Sequence, residues 1–305
     1  MRERLTARIA AGEVLLADGA IGSMLLGRGL PPGAAPESLN LSHPEILEEI
    51  ARLYLAAGAE IIQTNTFGAS PLKLAHYGLA GKTAVINECA VAAVRRAVGE
   101  QAWVSASCGP SGKILKPYGD TEAERMLASF REQMQAVIGA GVDIVCIETM
   151  SDVYEARLAV QAARSISASI PIMATMTFEA TARGFFTIMG VTIEKACREL
   201  EEAGADLVGS NCGNGSQQMA AIAREFRKCT TLPLLIQSNA GIPELRDGAV
   251  HYPETPEFMA ALVPELIAAG VTVIGGCCGT NPDHTRAMRK VIDAEVRKRQ
   301  GFPVN

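Results

Sequence analysis

The chain has 305 residues, 48% hydrophobic and 20% charged, with a net charge of −5, as expected of a soluble globular protein with a large core. That charge balance gives no electrostatic reason to bind nucleic acid or an anionic membrane surface. No uninterrupted apolar run reaches the ~18 residues of a membrane span, and eight cysteines in a chain of this length point to reduced thiols in the cytoplasm rather than a disulfide scaffold.

At the N-terminus, Met1-Arg2-Glu3-Arg4 is basic, but Glu13 and Asp18 interrupt the apolar stretch after it, which makes a poor signal peptide. Short apolar, β-branched runs then alternate with longer amphipathic stretches. Strands are predicted over Val14–Ala17, Glu60–Thr66, Trp103–Ser107, Asp143–Ile147, Ile172–Thr177, Asp206–Ser210, Leu234–Ser238 and Val271–Gly275. Between them, Glu45–Ala57 reads as a helix with Ile46, Ile50, Leu53 and Leu55 near one side. Thr121–Ala140 reads as another, with Met126, Phe130, Met134 and Val137 in register and Thr121 and Glu124 at capping-box spacing. Asn281-Pro282-Asp283 reads as a helix start.

A repeat marks the even-numbered strands. Ala57-Gly58-Ala59-Glu60, Ala140-Gly141-Val142-Asp143 and Ala203-Gly204-Ala205-Asp206 share one pattern, and Ala269-Gly270-Val271-Thr272 is a variant. Each glycine falls where a helix C-cap is expected. Alternating strands and helices with near-continuous apolar strands predict an α/β fold with a parallel sheet. Eight units predict one (β/α)8 TIM barrel domain over residues 1–305, with an open doubly wound sheet as the alternative.

On that scheme the polar and thiol residues collect at the C-terminal ends of the strands, where barrel enzymes carry their active sites. Gly275-Gly276-Cys277-Cys278-Gly279-Thr280 holds two neighbouring thiols. Neighbours on a regular strand face opposite ways, so the two converge only if glycine lets the backbone leave strand geometry. Cys212, in Gly209-Ser210-Asn211-Cys212-Gly213, would complete a three-thiolate site for zinc with one open position. In a closed barrel, strands 6 and 8 flank strand 7, bringing Cys212 to the Cys277–Cys278 pair with Asn239 between them. Cys89, Cys108, Cys146, Cys197 and Cys229 read as structural, and His43, His76, His251 and His284 show no ligand spacing. Asp18, in Asp18-Gly19-Ala20-Ile21-Gly22-Ser23, and Glu148, after Ile144-Val145-Cys146-Ile147, are either helix N-caps or site carboxylates. At the barrel mouth Glu148 suits an ammonium group, and the glycines beside Asp18 offer N–H groups to a carboxylate. The segment Phe178–Val191 is a long loop on the same face: a lid, a docking surface, or a loop packed on itself.

Taken together, these motifs, with Thr64-Asn65-Thr66-Phe67-Gly68, Gly109-Pro110-Ser111-Gly112, Glu148-Thr149 and Asn239-Ala240-Gly241, resemble the homocysteine S-methyltransferase family. The resemblance is nearest to the homocysteine-binding module that opens cobalamin-dependent methionine synthase. It implies zinc on Cys212, Cys277 and Cys278, the amino-acid end of homocysteine held by Asp18 and Glu148, a pocket wall at Asn65, Thr66 and Phe67, and Asn239 beside the metal. It implies transfer of a methyl group to homocysteine, giving methionine, with no residue acting as acid, base or covalent nucleophile. The expected donor is a methylcorrinoid on a corrinoid protein or another methionine synthase subunit. S-methylmethionine is the alternative donor, and a non-catalytic zinc-thiolate binder or thiol sensor the alternative function. Betaine is disfavoured: the betaine-using relatives carry tyrosine where this chain has Thr149, and the lone tryptophan, Trp103, starts strand 3 at the far end.

Overall fold

The computed structural model describes residues 5–31, 33–246 and 249–299, so the ends of the expected 1–305 domain lie outside the described residues. Eight parallel strands form the frame: β1 (Leu15–Leu16), β2 (Ile61–Gln63), β3 (Trp103–Cys108), β4 (Ile144–Met150), β5 (Ile172–Met176), β6 (Leu207–Asn211), β7 (Leu234–Ser238) and β8 (Val271–Gly276). Their order is β1-β8-β7-β6-β5-β4-β3-β2. A parallel bridge from Ala17 to Ile61 brings β1 back to β2, with Asp18 N–H donating to Ile61 O at 3.0 Å. This is the predicted TIM barrel, not the open sheet.

The repeat works as a joint at the N-terminal end of the barrel. Gly58, Gly141, Gly204 and Gly270 all adopt positive φ. The acid two residues later accepts from the N–H of a neighbouring strand: Asp143 from Val104 at 2.8 Å and Asp206 from Ile172 at 2.7 Å. Each acid is also paired with an arginine, Arg95 on Asp143 and Arg164 on Asp206. Below the barrel, Leu5 and Ile9 of the helix Leu5–Ala10 pack with Leu15, Ile61, Trp103, Ile144 and Leu207. A larger apolar layer, including Phe130, Val137, Val160 and Phe226, fills the space between strands and helices.

Several boundaries differ from expectation. The second strand covers only Ile61–Gln63, and the fourth runs on to Met150 through a register break between Ile147 and Met150. Glu148 therefore lies within β4 instead of following it. The early helix is Pro44–Ala56 and buries Leu47, Ile50, Ala51 and Tyr54, whereas Leu53 is exposed. Met126, Phe130, Met134 and Val137 are buried as expected, but their helix starts at Ala123 and the capping box does not form: Thr121 Oγ1 donates to Asp120. Asn281 Oδ1 caps the helix Pro282–Arg299 by accepting from Asp283 N–H at 3.0 Å. In the segment 178–191, Glu179–Thr181 and Gly184–Phe186 pair as an antiparallel hairpin. Phe178 is buried edge-on against Phe226, while Ile188 and Met189 stay exposed.

Candidate functional site

Strand periodicity decides which side chains reach the barrel interior. Ile61 and Gln63, Trp103 and Ser107, Ile144 and Glu148, and Leu207 and Asn211 share inward parity in their strands. The interior changes from apolar at the bottom to polar at the top. There the polar groups meet. Glu148 Oε1 accepts from Gln63 Nε2 at 3.0 Å and from the Ser107 hydroxyl, and Oε2 faces Asn211 Nδ2 at 3.3 Å. Gln63 also joins the second carboxylate: its backbone N–H donates to Asp18 Oδ2 at 2.8 Å. Asp18 Oδ1 is buried without a partner.

Neither acid is a helix cap. Both are buried, and burial is the main cause of their raised pKa values. Asp18 is pushed up to about 8, with repulsion from Glu148 adding to burial, and Glu148 to about 7, in part through Cys212.

The thiols reach the same cavity by leaving regular geometry. By parity Cys212 would face away from the barrel axis. Its φ of +61°, followed by Gly213 at +76°, turns it over the rim. At the last residue of β8, glycine is required: a Cβ on Gly276 would lie 2.3 Å from Thr280 Oγ1. Cys277 N–H is anchored on Ser238 O at 2.7 Å, and Cys278 O accepts from Ala240 N–H at 2.9 Å. The result is a cluster of three sulfurs, from Cys212, Cys277 and Cys278, all within 4.8 Å of one another, with Cys212 Sγ to Cys278 Sγ at 3.9 Å. Tetrahedral coordination with metal–sulfur bonds near 2.3 Å places two sulfurs roughly 3.8 Å apart, so the cluster fits a soft cation. Hydrogen bonds from Cys212 and Cys277 hold the Cys278 thiol below its usual range, whereas bonding to Cys212 and Cys278, reinforced by burial, pushes Cys277 up.

Two participants went unread in the sequence. Tyr252 hydrogen-bonds Cys278, its pKa pushed up to about 12 by burial and by the Cys278 charge, and its ring lies where a Cβ on Gly279 would be. Nothing in the sequence marks Tyr252, because its loop carries no motif. Gln63 could have been found from its shared parity with Ile61, at the polar end of the second strand.

A cavity of about 240 Å³ joins the two clusters, lined among others by Gly19, Gln63, Asn65, Phe67, Glu148, Thr149 and the three cysteines. The helix Ile21–Leu26 starts at this cavity without a side-chain cap, leaving the N–H groups of its first turn there. Of the predicted pocket residues, Phe67 and Asn65 line it, although the Asn65 amide nitrogen donates to Pro36 O and Asn40 Oδ1, both at 2.8 Å. Thr66 is fully buried and donates to Ser107 O at 2.7 Å, shaping the wall from behind. Asn239 lies at the end of β7, with Oδ1 buried and unpartnered. Cys108 donates to Gln133 Oε1 at 3.2 Å and Cys146 is buried, in keeping with structural roles, whereas Cys229 is exposed.

A sequence profile described as homocysteine S-methyltransferase matches residues 15–292. The chain is 31% identical over 301 residues to a methionine synthase of Mycobacterium leprae, covering 92% of this chain and 24% of that protein. To a methionine synthase of Mycobacterium tuberculosis it is 30% identical over 303 residues, covering 93% and 25%. It thus spans about a quarter of the length of these relatives. The metallated form of the homocysteine methyltransferase MmuM from Escherichia coli superposes with a TM-score of 0.77 at 23% identity, covering 94% of this chain and 99% of that one. Its oxidized form gives 0.76 at 22%, covering 95% and 99%. At these identities the likeness is one of fold. Among the described residues no helix is long and apolar enough to cross a membrane.

Proposed function

The chain belongs to the homocysteine S-methyltransferase family, and from that premise we propose that it transfers a methyl group to the sulfur of homocysteine, giving methionine. In this reading Cys212, Cys277 and Cys278 hold zinc, and a methylcorrinoid on a partner protein or another methionine synthase subunit gives the methyl group. The barrel acts as one homocysteine-binding domain in a reducing cytoplasm. The observation that carries it is the meeting, in one cavity, of three converging thiols with the buried Glu148 carboxylate, behind which Gln63 links Glu148 to Asp18. Zinc, when bound, displaces a thiol proton and keeps the acceptor sulfur as thiolate near neutral pH.

The chain's own residues position the reactants. Glu148, braced by Gln63 and Ser107, takes the substrate ammonium, with Asp18 beside it. The first-turn N–H groups of the helix Ile21–Leu26 suit the substrate carboxylate. Asn65 and Phe67 wall the pocket, Thr66 backs that wall, and Asn239 follows β7, the strand between the cysteine-bearing ones. As the new sulfur–carbon bond forms, the donor–carbon bond breaks and its electron pair stays with the donor. The acceptor arrives without its proton, so no residue is assigned as acid, base or covalent nucleophile.

A second donor has one observation in its favour. The cavity lining contains carboxylates and thiols but, among the described residues, no lysine, arginine or histidine, which suits a cationic sulfonium such as S-methylmethionine. Methionine formation from homocysteine, measured with methylcobalamin and separately with S-methylmethionine, distinguishes the donors. Turnover with neither, while zinc and homocysteine still bind, would make the protein a binder or thiol sensor instead.

A further inference from the structure

Asn211 is fully buried, with its amide nitrogen between Glu148 and Cys277, and every polar atom of its side chain is engaged. Oδ1 accepts from Thr149 N–H and from Thr175 Oγ1, both at 2.7 Å. Nδ2 donates to Thr149 Oγ1 at 2.7 Å, which uses one of its two hydrogens. The other lies between Glu148 Oε2 at 3.3 Å and Cys277 Sγ at 3.9 Å. Thr149 has a φ of +59°, a backbone state that branched side chains rarely adopt. Asn211 grips this residue from both its backbone and its hydroxyl. The left-handed turn occurs directly after Glu148, so it helps set where the Glu148 carboxylate sits.

We propose that Asn211 is a positioning residue that selects an α-amino thiol over a plain thiol, by fixing Glu148 through one N–H and the turn at Thr149 through the rest of its amide. The inference rests on the reading that Glu148 receives the substrate ammonium. Asn211 faces the polar top of the barrel, away from the apolar layer outside. A role confined to holding an awkward turn would make it a scaffold only, and the two roles separate experimentally.

The test uses zinc-loaded full-length protein in four forms: wild type, Thr149→Gly, Asn211→Ala, and Asn211→Ala with Thr149→Gly. Glycine accepts positive φ without a clamp, so the double variant should recover most of the thermal stability lost by Asn211→Ala. Dissociation constants are measured by calorimetry for homocysteine and for 4-sulfanylbutanoate, which lacks only the amino group. In the double variant, relative to Thr149→Gly, homocysteine should bind about tenfold more weakly, the scale of one lost hydrogen bond to a charged group. The binding of 4-sulfanylbutanoate should be nearly unchanged. Equal homocysteine affinity in Thr149→Gly and the double variant would reduce Asn211 to a scaffold and overturn the proposal, as would equal weakening of both thiols. Glu148→Gln tests the underlying reading separately: if it leaves the preference for homocysteine intact, the ammonium assignment is wrong whatever Asn211 does.

Discussion

Replacing Asp18 by asparagine should make the protein more stable while impairing it as a binder. Asp18 is completely buried, has one unpartnered oxygen and lies near a second carboxylate, so its pKa is raised from 3.8 to about 8. The folded chain therefore keeps a proton that the unfolded chain has released. The resulting cost is absent below pH 3.8, grows as the pH rises, and levels off above about 8. Each pH unit inside that window is worth ~1.4 kcal/mol, so between pH 5 and pH 7.5 the wild type should lose about 3 kcal/mol relative to Asp18→Asn. At pH 5 the variant has little advantage, because its amide also has an unpartnered polar atom, worth about 1–3 kcal/mol. Urea unfolding of both proteins in their zinc-loaded form, at half-unit steps from pH 5 to 8, measures the difference directly. The metal ligands are the same in both, so their own pH dependence largely cancels. Homocysteine affinity should fall in the same variant. Parallel stability curves across the window would refute the reasoning, since Asp18 would then be ionised in the folded state.

Cys277→Ala should lower zinc content from one per chain to near zero and abolish methionine formation with either donor; metal analysis with an activity assay checks both. Tyr252→Phe removes the hydroxyl bonded to Cys278 while keeping the ring packed on Gly279. It should weaken zinc binding about tenfold in chelator competition, the low end for loss of a group supporting a metal ligand. Homocysteine binding should release more protons than binding of norvaline, which carries a methyl group in place of the thiol. Both ligands bring an ammonium to carboxyls whose pKa values stand near 7 and 8, but only homocysteine gives up a thiol proton to the metal site. Calorimetry at pH 7 in buffers of different ionisation enthalpy should show a difference near one proton, and equal release would argue against thiolate formation.

The frame was legible because its signals are local. Gly58, Gly141, Gly204 and Gly270 each mark a helix end, and the acid after three of them marks the joint with the next strand. The cysteine trio was legible because glycines around Cys277 and Cys278 announce a departure from strand geometry, which closure of the barrel brings to Cys212. The features that escaped depend on contacts between distant segments. Tyr252 meets Cys278 only through the packing of the β7–β8 connection on Gly279. The role of Asn211 depends on a φ at Thr149 that no residue type foretells. The missing capping box at Thr121 shows the converse: the spacing was right, but the hydroxyl found Asp120 instead.

Stability and function occupy opposite ends of this barrel, and each end explains the other. At the bottom, arginine–acid pairs tie strand to helix, and Leu5, Ile9 and Trp103 close the interior with apolar surface. At the top, the same strands present two protonatable carboxyls, a branched residue at positive φ, and three sulfurs held within 4.8 Å of one another. Each of those features opposes folding. They persist because the surrounding strands are fixed from below, so local strain cannot relax without dismantling the sheet. The cavity made this way holds a buried carboxyl and three close sulfurs. If the site takes an amino-acid thiol as proposed, mutations that remove those costs should stabilise the fold as they weaken the site.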